Sequence, residues 1–139
     1  MGPSFSPDGG WIAYTAEESG RYEVYAQAYP SGQRTQVSFQ GGEEPIWSRK
    51  GDELFYRNGN KWMSVRISTT GGFNPGTPRE LIQGPFWNVA GVSYDVAPDG
   101  ARFLLLKPVR EERPVTEVNV VLNWFEELKS RVAPGPMAQ

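Results

Sequence analysis

The chain of 139 residues contains neither cysteine nor histidine. Lack of cysteine excludes disulfides and thiolate metal sites, although it leaves the compartment open, because many periplasmic proteins also lack it. Lack of histidine excludes Ser-His-Asp and Cys-His catalysis and the imidazole zinc sites. Charge of one sign is scarce too: 14 Lys and Arg stand against 16 Asp and Glu, a net charge of -2. With no long basic run, a nucleic-acid partner is not expected. The longest apolar stretches, residues 103–106 and 118–122, fall far short of the roughly 20 residues of a membrane span, so no membrane insertion is expected. No basic segment followed by an apolar one comes after Met1-Gly2-Pro3, so no signal peptide is read there. There is no Gly-x-Ser-x-Gly elbow and no Ser-x-x-Lys element. Gly41-Gly42 and Gly71-Gly72 read as turns rather than phosphate loops. No cofactor, no metal site and no catalytic residue is expected.

What is abundant is turn chemistry and aromatics: 16 Gly, 12 Pro and 13% Phe, Trp and Tyr. In Ser6-Pro7-Asp8-Gly9, Pro7 presets φ for the first central turn position. Asp8 can bond the nearby backbone, and Gly9 accepts a positive φ. Trp11-Ile12-Ala13-Tyr14-Thr15 then reads as a strand. A second strand covers 22–29, with Tyr22, Val24, Ala26 and Ala28 on one face and Glu23 and Gln27 on the other. A third covers 35–38.

The unit recurs. After a linker loop over Gln40–Glu44, Trp47-Ser48-Arg49-Lys50-Gly51 repeats the first turn, with an allowance for a one-residue slip. Trp47 takes the place of Phe5, Ser48 of Ser6 and Gly51 of Gly9, and Leu54-Phe55-Tyr56 answers Ile12-Ala13-Tyr14. Asn58-Gly59 is a strong hairpin signal. In the strand that follows, Met63, Val65 and Ile67 form the expected buried face, opposite Trp62, Ser64 and Arg66. Residues 79–82 close the unit. A second linker, Gly84–Gly91, leads to Ala97-Pro98-Asp99-Gly100 and strands near 92–96, 102–107 and 116–122. Residues at positions 7, 49 and 98 are thus 42 and then 49 apart. A period of about 40–50 residues with short strands is the pattern of β-propeller blades. The expected fold is all-β: a partial propeller of about three four-stranded antiparallel blades (3–39, 45–83 and 92–122). A short C-terminal helix over 124–132 and a tail over 133–139 follow. The helix starts at Asn123, with Glu126 at the third position.

Phe5-Ser6-Pro7-Asp8-Gly9 and Ala97-Pro98-Asp99-Gly100 resemble the WD40-like repeat (PD40) of the TolB-type β-propeller. Residues 118–129 resemble the end of propeller domains attached to bacterial serine/threonine kinases and related TolB-like proteins. That resemblance implies a periplasmic or extracytoplasmic, partner-binding module. The family pattern has six blades, whereas this chain holds three and carries none of the kinase motifs. It is expected to be the C-terminal part of a larger propeller. Open blade faces favour association, so a homodimer completing a six-blade ring is the expected assembly, with another protein as a further partner.

Two function classes follow: a non-catalytic protein- or ligand-binding propeller, or a hydrolase (esterase or peptidase-associated) with a His-free site. The paired carboxylates, Glu43-Glu44 among them, read mostly as solvated surface charge, since adjacent strand residues face opposite ways. Asp8, Asp52 and Asp99 read as turn-formers. The interblade loops carry the candidate ligand-binding residues: Phe86 and Trp87 for stacking, Glu43, Glu44 and Asn88 for polar contacts. The competing and favoured reading packs Phe86 and Trp87 between blades.

Overall fold

Three turns set the frame of the structure, a computed structural model that describes residues 2–18, 20–89 and 91–108. The N–H groups of Ser6, Ser48 and Ala97 donate to the carbonyls of Trp11, Glu53 and Arg102, each at 2.8 Å. Gly9, Gly51 and Gly100 donate back to the carbonyls of Ser6, Ser48 and Ala97. Their φ angles are 71°, 74° and 69°, a region glycine enters without strain. A serine hydroxyl reinforces two of the turns. The Ser6 hydroxyl accepts from Trp11 N at 2.9 Å and donates to Asp8 at 2.5 Å. The Ser48 hydroxyl accepts from Glu53 N at 3.2 Å and donates to Asp52 at 2.8 Å. In all three turns the residue before the loop pairs with the first residue of the next strand's core: Phe5 with Ile12, Trp47 with Leu54, Val96 with Phe103. The spacing is identical, so the one-residue slip expected from the sequence is absent.

The described residues form eleven strands and no helix. The first sheet is a meander of β1 (Ser4–Phe5), β2 (Trp11–Glu17), β3 (Tyr22–Ala28) and β4 (Arg34–Gln36). The second contains β5 (Glu43–Trp47), β6 (Glu53–Asn58), β7 (Lys61–Ser68), β8 (Asn74–Pro75) and β9 (Arg79–Gln83). The third holds β10 (Tyr94–Val96) and β11 (Phe103–Leu105). All pairings are antiparallel. The chain is therefore all-β, with antiparallel sheets of four, five and two strands. The second sheet exceeds the expected four because β7 is long enough to take two partners on one edge. Ile67 and Ser68 pair with β8, whereas residues from Lys61 to Ser64 pair with β9. The hairpin at Asn58 closes as expected, with Asn58 opposite Lys61. Most strand boundaries move by one to three residues. β4 begins at Arg34, and β5 begins at Glu43, so Glu43 and Glu44 belong to a strand rather than to the linker loop. The strand expected at 116–122, the helix at 124–132 and the tail at 133–139 lie outside the described residues.

Two apolar cores lie on opposite sides of the second sheet. Ala13, Val24, Ala26 and Val37 of the first sheet and its following loop meet Trp47, Leu54, Tyr56, Val65 and Ile67 of the second. On the other side, Phe55 and Trp62 meet Tyr94, with Val96, Phe103 and Leu105 packed against them. Period-two alternation sends Leu54 and Tyr56 one way and Phe55 the other. In β7 the expected face of Met63, Val65 and Ile67 does join the first core. The opposite face is buried at Trp62 and Ser64, which have no exposed surface, and open at Arg66. A strand covered on both sides carries large side chains on both. Fully burying one of them contributes about 1.5–3 kcal/mol.

Candidate functional site

Among the described residues, β5 holds the non-glycine residue with a positive φ. Its pairing with β6 shifts register between Glu43 and Ile46, and Glu44 holds φ at 54°. A non-glycine residue in the left-handed region is strained and persists where its surroundings over-determine it. For Glu44 the surroundings are visible. Its Oε2 accepts from the backbone N–H of Ser93 at 2.8 Å and from the Ser93 hydroxyl at 2.6 Å. Its backbone carbonyl accepts from the Tyr94 hydroxyl at 2.7 Å. Its Oε1 lies 3.7 Å from Arg57 Nη1 and takes no hydrogen bond. Arg57 in turn donates to the Ser93 hydroxyl at 3.3 Å and to the Gly59 carbonyl at 2.7 Å. Glu44 and Arg57 are each only 4% exposed.

This cluster ties the second sheet to the third. A buried ion pair repays little of its desolvation cost unless hydrogen bonds satisfy its remaining atoms; Ser93 bonds to both partners, and Glu44 Oε1 is left with Arg57 at 3.7 Å alone. Tyr94 is affected too: burial pushes its hydroxyl pKa well above the usual tyrosine value, and Glu44 beside it adds to the shift. The expectation that the Glu43-Glu44 pair is solvated charge is overturned for Glu44, whose strand start lies between two sheets. Glu43 is half-buried in β5, opposite Arg57 in the pairing register.

The aromatic candidates divide. Phe86 packs edge-on to Trp62, with ring centroids 4.7 Å apart, and Trp62 stands 6.0 Å from Tyr94. The Arg57 guanidinium lies 5.6 Å from the Trp62 ring, a cation–π distance. Phe86 and Glu44 thus reach the same core through Trp62 and Tyr94. Trp87 is exposed, although its N–H donates to the Leu106 carbonyl at 2.8 Å. Asn88 is exposed as well. The structure brings Glu44 and Phe86 into the second core and leaves Trp87 and Asn88 at the surface.

A second buried carboxylate escaped the sequence reading. Glu23 is 1% exposed. It accepts from Arg21 Nε and from Gly41 N, both at 2.9 Å, and from the Ser38 hydroxyl. Ser38 also accepts from Val24 N at 2.8 Å. Gly42 passes so close that a Cβ there would stand 2.5 Å from the Ser38 hydroxyl oxygen and 2.8 Å from its Cβ. Only glycine fits. Arg57, Ser93 and Tyr94 were also missed. The one available signal was a charge in an apolar strand: Arg57 continues the alternation of Phe55, and Glu23 that of Tyr25.

A cleft of about 750 Å³ opens where β8 and β9 diverge along β7. Its charged lining residues are Asp52, Glu53, Arg66 and Arg79. Glu53 already accepts from Ser64 and from Arg79 Nη2. Two acids balance two arginines, so the cleft selects for neither sign of ligand. Among the described residues no cluster of three acidic side chains could hold a metal ion. The turn aspartates work locally. The Ser6 hydroxyl, and then the Gly10 N–H, hold Asp8 below the usual carboxylate range. The Ala101 N–H does the same for Asp99, and Arg102 adds to it. No family model matches the chain, and no curated protein matches it.

Proposed function

We propose that the chain is a non-catalytic binding module of the TolB-like, PD40 type, a three-blade sector of a β-propeller that pairs with a second copy to complete a ring. One observation carries this reading. The three sheets repeat one turn in one register, and each joint buries the same two kinds of face. Ala13 and Phe55 occupy equivalent positions two residues beyond the turn acceptors Trp11 and Glu53. Each points into the core shared with the following sheet, whereas Leu54 and Phe103, also equivalent to each other, point back to the preceding one. Stacking in one sense, repeated, is what propeller blades do.

Ligand or partner contact on this reading falls to Trp87 and Asn88, the exposed pair beside Phe86. The polar cluster at Glu44 holds the sheets beneath them. Purified protein should scatter light as a species of twice the 15.5 kDa chain mass at micromolar concentration, and a stable monomer there contradicts the ring. A broad ester and peptide hydrolysis screen tests the absence of catalysis. Turnover that survives repurification and is lost on a single Ser or Glu substitution would replace this reading with a hydrolase.

A further inference from the structure

The second turn departs from the other two at one position. The shared register makes Asp8, Lys50 and Asp99 equivalent. In the first turn Asp8 Oδ1 accepts from the Ser6 hydroxyl at 2.5 Å and from Gly10 N at 3.0 Å. In the second, Asp52 does this work from a position two residues later, accepting from the Ser48 hydroxyl at 2.8 Å. Lys50 is thereby released from holding the turn. It is exposed, and among the described residues it makes no ion pair. Asp8 makes none either, and both of its side-chain bonds use Oδ1, which leaves Oδ2 open.

Both groups line one cleft of about 290 Å³ formed by the first and second turns, near the lower end of the roughly 300–1,000 Å³ range of ligand pockets. Trp11 and Trp47 give it an apolar wall, and Thr69 adds a hydroxyl. The wall is braced. Phe73 lies 4.9 Å from the Trp11 ring and 6.1 Å from the Trp47 ring, and Trp47 Nε1 donates to the Ser4 carbonyl at 3.2 Å. A Cβ at Gly51 would stand 3.5 Å from Pro7 Cδ, so the two turns touch. A preformed cleft loses little to ordering when a ligand enters. We propose that this cleft binds a free α-amino acid with an apolar side chain. Lys50 takes the ligand carboxylate, Asp8 takes its ammonium group, and the side chain lies against the two indoles. A simple anion would leave Asp8 facing it, and a simple cation would leave Lys50. A neutral sugar would forgo both charge pairings. A ligand that carries both charges satisfies the two walls at once. The site is separate from Trp87 and Asn88 and requires neither a ring nor a second copy.

Titration calorimetry with L-phenylalanine tests the site, beside two compounds that each carry half of its charge: hydrocinnamate, without the ammonium group, and phenethylamine, without the carboxylate. Glucose serves as the neutral comparison. The same titrations are run on Lys50→Gln and Asp8→Asn, with circular dichroism to verify the fold. Asn keeps an acceptor for the Ser6 hydroxyl, and Lys50 holds no turn bond, so both variants should fold. The expected result is saturable binding of L-phenylalanine, weakened about tenfold or more by loss of either charge from the ligand or from the protein. Lack of saturable binding by L-phenylalanine overturns the proposal. So does hydrocinnamate, phenethylamine or glucose binding as tightly as the amino acid, or an affinity unchanged in either variant.

Discussion

The carboxylate of Glu44 accepts both the backbone N–H and the hydroxyl of Ser93, at 2.8 and 2.6 Å, across 49 positions of chain. Those two bonds and Arg57 at 3.7 Å fasten the start of one sheet to the start of the next. Removing the arginine leaves a buried carboxylate without its counter-charge. Arg57→Leu should therefore destabilise the protein by about 3–5 kcal/mol. The double variant Glu44→Leu/Arg57→Leu should lose markedly less than the two single losses added together. Urea unfolding of the four proteins measures both quantities. Additive losses would mean that the two side chains act independently.

The turns offer a gain rather than a loss. Ala97 occupies the place of Ser6 and Ser48, with the same backbone bonds but no hydroxyl. Ala97→Ser supplies an acceptor for Arg102 N and a donor for Asp99. It should stabilise the third turn by up to about 1 kcal/mol, and Ser48→Ala should cost about the same. Thermal or urea midpoints decide the sign in each case.

Acid should weaken the first turn. Asp8 has a folded pKa below its ordinary 3.8, chiefly through the Ser6 hydroxyl and next through the Gly10 N–H. Its contribution is present above pH 3.8 and is lost as pH falls through the lower folded value. The residue is exposed, so the contribution is small. Asp8→Asn should flatten the decline of the urea midpoint below pH 3.8 relative to the parent protein, and an unchanged decline would assign it to other carboxylates.

Base should act on the cores. Burial, with Glu23 nearby, raises the Tyr56 hydroxyl from 10.0 to about 12, and Tyr94 is raised further in kind by burial and Glu44. The raised folded values mean that their contribution to stability is intact below pH 10 and is lost as pH climbs from there through about 12. Phenolate absorbance should show these two tyrosines ionising only above pH 10.0, in step with unfolding. Tyr56→Phe should delay the alkaline transition.

What the sequence made legible is what local chemistry decides. Pro7, Asp8 and Gly9 announce a turn without help from the rest of the fold, and Asn58-Gly59 a hairpin. The spacing of Ser6, Ser48 and Ala97 shows a repeat. The site was harder to read because its partners are remote. Glu44 follows Gly41, Gly42 and Glu43, a run that reads as solvated loop, and Ser93 lies 49 residues further on. Nothing near Glu44 hints at the bulge or the positive φ that draw it into the interior. The face of Trp62 was misjudged for a related reason. Alternation identifies two faces, but only the presence of a sheet on each side decides that both are buried. Arg57 and Glu23 show the same limit, since a charge inside a strand signals burial only once its donors and acceptors are in place.

Sedimentation of the purified chain beside Leu104→Asp tests the central claim most directly. Leu104 stands two residues beyond the turn acceptor Arg102, as Ala13 and Phe55 stand beyond Trp11 and Glu53, and is exposed in the single chain, so the substitution leaves the fold intact, which circular dichroism verifies. The repeated-joint account predicts that the parent sediments at twice 15.5 kDa and that the variant falls to the mass of one chain. Equal masses for the two proteins would contradict it.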